Sequence, residues 1–392
     1  MAGWLLFCQD LRQGFSHLHQ QSDPTDCPIV LPFGSPWLIL LEDDHWKFVR
    51  SVLSPAFSSG KMRAMVPMIH SCLNRLNENL SAYSKSGNSF EAKSVMGGSY
   101  HGIFFPFALP LLEAVGLTVD SKEVTDFFVT MLKETIAERR KQPSPRKDLL
   151  QLILDSSVDD LKETLVDKDV DADALKLDKL DRNNKLTDTE VIAQTLLFLI
   201  AGFETTSAAL AFLAYNLAVY PECQEKLIRE IDSTLNGTTP TYENVMTLPY
   251  LDMCLSETQR LYPAIRGMTR AAREPVTING VHIPAQATVL FLGYALQHDE
   301  TYWPDPEKFD PERWSPEQKA ARNPYVFFPF GVGPRNCVGM RLAQMEAKMA
   351  AVAMLQKFRF IRAPETEVPL TLKKGPFVQA EYGVWLRVQP RD

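Results

Sequence analysis

The longest apolar stretch of the chain, residues 191–220, follows a helix-start signal. Thr187 and Glu190 have the spacing of a capping box, in which each side chain accepts a hydrogen bond from the other residue's backbone N–H. We therefore predict one very long helix. It is long enough to cross a bilayer, but Gly202, Glu204 and Thr205 lie in its middle, where a charge would be costly in lipid. The pattern favours a buried core helix over a membrane span.

Shorter periodic segments predict further helices and a few strands, which together make a mainly α protein with a small β portion in one domain, 1–392. An Asn279-Gly280 pair predicts a hairpin turn, and two prolines interrupt the apolar stretch 101–112, which is either a buried loop or a membrane-surface segment. Predicted helices cover 42–80 with a turn at 58–60, 121–156 with a break at 143–145, 221–235, 249–262 and 338–357; strands fall at 275–284, 288–294 and after 357; irregular regions are 1–40, 158–188 and 303–336.

Composition narrows the class of protein. The chain has 392 residues, 45% of them hydrophobic, and a formal net charge of −7. Such a balance excludes the electrostatic footprint of a nucleic-acid-binding protein. The six cysteines form no C-x-x-C pair, which indicates reduced thiols in a cytosol-facing compartment. The apolar run at the N-terminus is too short to span a bilayer and lacks the features of a signal peptide.

One cysteine, Cys337, stands in a segment that predicts chemistry. Gly331, Gly333 and Gly339 surround it, and a predicted helix follows. A tight glycine loop would hold the sulfur at a helix N-terminus, where backbone N–H groups and the helix dipole stabilise a thiolate. Arg335 could reach an anionic group such as a haem propionate. The alternative, a structural cysteine in a buried turn, is disfavoured by the surrounding pattern F-x-x-G-x-x-x-C-x-G.

This segment, FFPFGVGPRNCVG, resembles the haem-binding loop of the cytochrome P450 family. The resemblance implies that Cys337 is the axial ligand of the iron of haem b, and that Phe330, Arg335 and Gly339 belong to the cofactor-binding loop. It also implies the family's fold, a helical bundle around haem. The likeness runs over residues 42–392 and is strongest to the animal microsomal enzymes, which include drug-oxidising enzymes and thromboxane synthase.

The sequence AGFETT in the central helix resembles the family's oxygen-binding stretch. Ala201 and Gly202 are small enough for a flat macrocycle to approach the backbone closely. By the resemblance, Thr205 hydrogen-bonds the bound oxygen and Glu204 feeds protons. Taken alone, the stretch fits a kinked core helix equally well, and Cys337 downstream decides for the functional interpretation.

Several charged and aromatic residues gain roles only through the resemblance. Glu257-x-x-Arg260 and the PERW sequence match a structural ion-pair arrangement, with Trp314 where phenylalanine is usual. Trp46, Arg50 and Arg270 match positions that hold the haem propionates. Each could instead be an ordinary surface or capping residue. The residues expected in the ion pairs are Glu257, Arg260 and Arg313.

The implied activity is that of a monooxygenase, an oxidoreductase that inserts one oxygen atom from O2 into a small lipophilic substrate. Electrons from NADPH arrive through NADPH-cytochrome P450 reductase, with cytochrome b5 as a second partner, at the cytosolic face of the endoplasmic reticulum membrane. Arg266 near the presumed pocket could favour an acidic substrate. Basic residues that could dock the reductase are Lys47, Lys61, Arg341 and Lys348, and plausible pocket walls are Ile200, Ala201, Ile265 and Phe377.

Two departures from the family keep other functions open. The membrane anchor, first helix and first strands have no counterpart, and a pair of helices is missing near residues 100–101. The fold is therefore expected to be incomplete. The rival hypotheses are an oxygen-independent endoperoxide isomerase, against which the pair of Glu204 and Thr205 speaks, and a catalytically dead truncated isoform.

Overall fold

The computed structural model describes residues 37–41, 43–97, 122–142, 148–156 and 185–391. The predictions for 1–36, for 101–112, for the break at 143–145, for residues 158–184 of the acidic connector and for the missing helices near 100–101 lie outside the described residues. The chain divides into two compact units, the first Met1–Lys61 with Phe104–Ile200 and the second Met62–Ile103 with Ala201–Asp392. The single domain remains a prediction.

Helices dominate the described residues, which confirms the predicted mainly α class. The turn expected at 58–60 lies earlier, because the 3-10 turn Ser54–Phe57 contains Pro55 and the next helix already begins at Ser59. The helices are α1 (Asp43–Leu53), α2 (Ser59–Ser86), α3 (Lys122–Lys141), α4 (Leu149–Asp155), α5 (Asp188–Val219), α6 (Pro221–Leu235), α7 (Tyr242–Val245), α8 (Pro249–Leu261), α9 (Gly293–Gln297), α10 (Pro316–Ala321) and α11 (Met340–Leu355).

Helix α5 is the long apolar helix that the sequence predicted. The Thr187 N–H donates to Glu190 Oε2 at 2.9 Å, and the Glu190 N–H donates to Thr187 Oγ1 at 3.3 Å, which is the expected capping box. Among the described residues, α5 alone is long and apolar enough to cross a membrane, but 56% of its most apolar window is buried. That burial fits a core helix.

The first unit is held together around the start of α5. His45 Nε2 lies 2.8 Å from Glu190 Oε1, and the Leu38 N–H donates to the side chain of Gln194 at 2.9 Å. Burial alone would raise the pKa of Glu190, but hydrogen bonds from Thr187 and His45 outweigh it and the pKa is lowered. These bonds join α1 and the preceding segment to the first turns of α5.

All described strands belong to the second unit. One three-stranded antiparallel sheet has the order β1-β7-β6, with Phe90 opposite Leu386 and Phe360 opposite Val388. The predicted hairpin turn is confirmed, since Asn279 and Gly280 both have positive φ. The strands are β1 (Phe90–Glu91), β2 (Met268–Ala271), β3 (Val276–Ile278), β4 (Val281–Ile283), β5 (Thr288–Phe291), β6 (Phe358–Arg362) and β7 (Trp385–Pro390), and neither β1 nor β2 was predicted.

The core of the second unit lies along its helices. Each of α2, α5, α6, α8 and α11 presents apolar side chains that are completely or almost completely buried, as amphipathic periodicity requires. Burial of such side chains stabilises the fold by about 1.5–3 kcal/mol each. Representative core residues are Leu76, Leu213, Ile231, Leu251 and Met349.

Candidate active site

The segment around Cys337 forms a tight loop immediately before α11. Gly331 and Gly333 have φ of 74° and 75°, a conformation that side chains rarely adopt. The loop is closed by the Cys337 N–H, which donates to the Phe330 carbonyl at 2.8 Å. Gly339 is the residue that precedes the first turn of α11. The sequence thus builds a turn that fixes the backbone of the cysteine.

Cys337 differs from the other described cysteines in its exposure. It is exposed, whereas Cys72 and Cys254 are buried and Cys223 is half-buried. Burial raises the pKa of the Cys72 thiol to about 11 and raises that of Cys254 as well. A thiolate is therefore disfavoured at these two buried positions. Of the described cysteines, Cys337 is the one whose residue is exposed.

Strand β2 packs against the cysteine loop. A Cβ at Gly331 would lie 3.5 Å from Cε of Met268. Arg270 lies two residues further along β2 and hence on the same face of the strand as Met268. The Arg270 guanidinium donates to the Thr269 carbonyl at 2.8 Å. Arg270 is thus carried by the strand that touches the loop, while Phe330 and Arg335 are half-buried within the loop itself.

The middle of α5 is uncovered, although its flanks are buried. Residues 191–198 and 206–208 are buried, but Ala201 is exposed and 202–205 are half-buried. The Thr205 hydroxyl donates to the Ala201 carbonyl at 2.8 Å, which leaves its lone pairs able to accept a hydrogen bond. This window of small and polar residues in an apolar helix is a surface that another group could cover.

Glu204 is held by two residues that the sequence did not indicate. Its Oε1 accepts a hydrogen bond from Gln379 Nε2 at 2.7 Å and pairs with Lys93 Nζ. Both charged side chains are 27% exposed. The predicted proton-relay residue is thus a partly buried carboxylate that is paired with an equally exposed cation.

The structure brings Glu257, Arg260 and Arg313 together in a fully buried cluster. Arg260 donates from Nε and Nη2 to the two Glu257 oxygens, each at 2.9 Å. Arg313 Nε lies 3.2 Å from Glu257 Oε1. The Trp314 indole N–H donates to Glu257 Oε2 at 3.0 Å, and the Asp310 N–H donates to Oε1 at 3.1 Å. Trp314 therefore adds a hydrogen bond that a phenylalanine could not make.

The Arg260 guanidinium also links distant backbone segments. It donates to the Gln297 carbonyl at 2.8 Å and to the Pro306 carbonyl at 2.6 Å. Its carbon lies 5.3 Å from the centre of the Trp303 ring. Because charge, hydrogen bonds and aromatic packing meet here, the cluster fixes the coil that precedes the cysteine loop against α8.

One sequence hypothesis needs correction, that Lys348 docks the reductase, whereas the hypothesis that Arg266 favours an acidic substrate stays a prediction. Lys348 cannot dock a reductase, because its side chain is only 3% exposed and pairs with Asp252 at 2.6 Å. Arg266 is engaged within the chain, since its guanidinium lies 4.6 Å from the centre of the Tyr294 ring and donates to the Lys373 carbonyl at 2.9 Å. Both basic residues thus make contacts within the chain that the sequence did not predict.

The remaining predicted residues lie on elements other than the cysteine loop. Trp46 is buried and Arg50 half-buried on α1, in the first unit. Of the supposed pocket walls, Phe377 is 46% exposed and pairs in an isolated bridge with Ile265, and Ile200 is 39% exposed. Their roles toward a cofactor or substrate stay predictions.

A mainly helical unit with an exposed cysteine in a glycine turn, and a buried ion cluster that fixes the coil before the turn, is the architecture expected of a thiolate-ligated haem enzyme. Comparison with known proteins agrees. The cytochrome P450 family model matches residues 93–387. Cytochrome P450 3A7 of Homo sapiens is 35% identical, over 90% of this chain and 75% of the relative. Cytochrome P450 3A12 of Canis lupus familiaris is 36% identical with the same coverage.

The chain belongs to the cytochrome P450 family. It is a haem monooxygenase of the animal drug-metabolising type, with haem b as cofactor and electrons delivered from NADPH by a reductase. Lipophilic substrates and association with the endoplasmic reticulum membrane follow from the same microsomal relatives. The residues of the second unit fit the cofactor, because the exposed Cys337 and the uncovered window of α5 are surfaces that such a group would bury.

Proposed function

We propose that the Cys337 thiolate would bind the haem iron in a monooxygenase of small lipophilic substrates. The single observation that carries this proposal is that Cys337 is an exposed residue in a loop shaped by two glycines and closed by the hydrogen bond from its own backbone N–H. When bound through a thiolate, the haem supplies the activation of dioxygen. Phe330 and Gly339 shape the loop, and the buried Glu257 cluster keeps the preceding coil in place.

Glu204 and Thr205 then move protons within the site. Glu204 offers a carboxylate that reaches both Gln379 and the partly exposed Lys93, so a proton can pass between solvent and the interior of the chain. Thr205, one residue further along α5, accepts or donates through its hydroxyl. Ala201 has almost no side chain and leaves room for a flat group against the helix.

Positive side chains would bind the two haem propionates. Arg335 lies in the cysteine loop, and Arg270 lies on the strand that touches the loop. Arg guanidinium groups bind carboxylates with two parallel hydrogen bonds. On α1, the resemblance to the family's W-x-x-x-R pair assigns the same role to Trp46 and Arg50. We also propose that 1–392 forms one domain that faces the cytosol at the membrane surface and accepts electrons from cytochrome b5 in addition to the reductase.

A carbon-monoxide difference spectrum of the reduced, purified chain tests the ligand. We expect the band of a thiolate-ligated haem in the wild type and in the control variant Cys223→Ser, and its loss in Cys337→Ser. A thiolate band that survives in Cys337→Ser would overturn the assignment. A protein that is folded but takes up no hemin would be the inactive isoform. NADPH consumption separates a monooxygenase from an endoperoxide isomerase, which needs none.

A further inference from the structure

The Glu204 carboxylate receives two donors from segments that are far apart in the chain. Lys93 precedes it by 111 residues and Gln379 follows it by 175. Both donate to the same oxygen, Oε1, one as a cation and one as a neutral amide. Fixing a flexible glutamate side chain costs rotamer entropy. The two hydrogen bonds must offset this cost. The chain therefore uses two separate segments to fix one partly exposed carboxylate.

Lys93 is placed by a dedicated backbone cap. It lies at the start of the helical segment 92–97, whose first N–H groups point at the Glu91 carboxylate: the Lys93 N–H donates at 3.3 Å and the Ser94 N–H at 2.7 Å. The same carboxylate accepts from the Val384 N–H at 3.0 Å, next to the pairing of β1 with β7. Glu91 thus ties the backbone at Lys93 to the sheet formed by β1 and β7.

Gly97 lets this segment approach α5. A Cβ at position 97 would lie 2.4 Å from Cε2 and 2.9 Å from Cζ of Phe203, and 3.3 Å from Cβ of Ser207. These distances leave no space for a side chain, so the glycine is required for the observed separation. The approach occurs beside Glu204, one residue after Phe203. The sequence therefore brings Lys93 within reach of Glu204 by omitting a side chain.

Gln379 is placed by the turn that leads into the last strand. The Lys373 N–H donates to the Gln379 carbonyl at 2.9 Å, and the Glu381 N–H donates to the Thr371 carbonyl at 2.7 Å. The neighbouring Val378 N–H donates to the Ala264 carbonyl at 3.3 Å. The backbone on both sides of Gln379 is thus tied down, and its amide is aimed at Glu204.

We propose that Lys93 and Gln379 are positioning residues that hold the Glu204 carboxylate in place for proton transfer. The inference rests on the proposed role of Glu204 and adds the two residues through which the chain controls it. Displacing a reacting group by about 1 Å can cost about a hundredfold in rate. Removing either donor frees the carboxylate to move. Replacing Lys93 by another cation, arginine, keeps the carboxylate in place. Both residues act through the Glu204 carboxylate, which they contact at Oε1.

The contact itself is tested without haem or turnover, by timed acetylation with acetic anhydride and peptide mass spectrometry. Lys93 should react roughly two- to fivefold faster in Glu204→Gln than in the wild type, which is the range expected for a partly exposed ion pair. Lys374, an exposed lysine in the same turn as Gln379, is the internal control and should react equally in both proteins. An unchanged rate at Lys93 would overturn the proposal.

The positioning role is tested by NADPH oxidation of the holoenzyme with reductase and no added substrate, measured in H2O and D2O. We expect Glu204→Gln to slow the rate by about a hundredfold and to alter the solvent isotope effect. Lys93→Met and Gln379→Leu should slow NADPH oxidation by about tenfold with an altered isotope effect. The rate of Lys93→Arg should lie within about threefold of the wild-type rate. Lys374→Met, which removes the same charge nearby, should leave the rate unchanged.

The outcomes separate this inference from the proposed function. If Glu204→Gln changes the rate and isotope effect but Lys93→Met and Gln379→Leu do not, the two residues have no positioning role and the relay stands. If Glu204→Gln itself has no effect, the relay role fails and the inference falls with it. A loss in Lys93→Met that is accompanied by a wild-type isotope effect would indicate a merely structural lysine and would also overturn the inference.

Discussion

Two carboxylates of the second unit, Glu257 and Glu204, are each surrounded by nitrogen donors but differ in exposure. Glu257 is completely buried, and its two oxygens meet Arg260, Arg313, Trp314 and a backbone N–H. Glu204 is 27% exposed and its contacts converge on one oxygen. A buried ion that is saturated with partners cannot move without a large cost, whereas a partly exposed one can exchange protons. The first arrangement suits support, and the second suits chemistry.

The largest expected effect comes from breaking the buried cluster. Glu257→Gln leaves two guanidinium groups without their counter-charge in a site that water does not reach. We expect the free energy of unfolding in urea to fall by about 3–5 kcal/mol. Glu312→Gln, which breaks the exposed pair with Lys226 next to the cluster, serves as control and should cost at most about 1 kcal/mol. Equal losses in the two variants would remove the contrast between buried and exposed pairs.

A smaller effect is expected where only one donor of the cluster is lost. Trp314→Phe keeps an aromatic ring beside Trp303, whose ring centre is 5.4 Å away, but removes the hydrogen bond to Glu257. A hydrogen bond to a charged group contributes about 1.5–3 kcal/mol, and the urea midpoint should fall accordingly. A variant as stable as the wild type would show that Arg260 and Arg313 alone satisfy the carboxylate.

A third carboxylate sharpens the comparison through pH. Glu346 on α11 is buried like Glu257, but desolvation raises its pKa from the ordinary value of 4.5 to about 8. The folded chain therefore keeps a proton between these pH values that the unfolded chain has lost, and stability should fall as pH rises across this window, by up to about 1.4 kcal/mol per unit. Glu346→Gln should flatten this dependence between pH 6 and 8 in urea titrations. An identical slope in both proteins would contradict the raised pKa.

The smallest effect on stability is expected at Glu204. Glu204→Gln breaks a partly exposed ion pair, which contributes about 0.2–1 kcal/mol, and the amide retains an acceptor oxygen for Gln379. The urea midpoint should move little, although turnover falls sharply. A stability loss as large as that of Glu257→Gln would show that Glu204 is a second structural anchor.

Much of this molecule could be predicted from local patterns. The capping box at Thr187, the proline that opens α6 and the Asn279-Gly280 hairpin each depend on residues close together in the sequence. The ion cluster needed the family resemblance, because Glu257 and Arg313 are 56 residues apart. Strand β2 was missed, since Thr269 and Arg270 are polar and no strict alternation marks it.

The partners of Glu204 could not be predicted from the sequence at all. Lys93 follows a two-residue strand, and Gln379 lies in a turn, and neither position belongs to a motif. The burial of Lys348 was missed for a related reason. A lysine on a helix is normally solvated, and only the position of Asp252 on α8 makes a buried amine acceptable. Long-range pairing of charges is set by tertiary structure, which local periodicity does not encode.

The close approach at Gly97 has a consequence for sequence variation. Because the missing Cβ and the Phe203 ring compete for the same volume, the two positions should be free to change only as a pair. Alanine at 97 should be harmful beside phenylalanine and tolerated beside a smaller residue such as leucine, so that the double variant Gly97→Ala with Phe203→Leu is more stable than Gly97→Ala alone. Substitutions at these two sites, which are 106 residues apart, would then be expected to occur together.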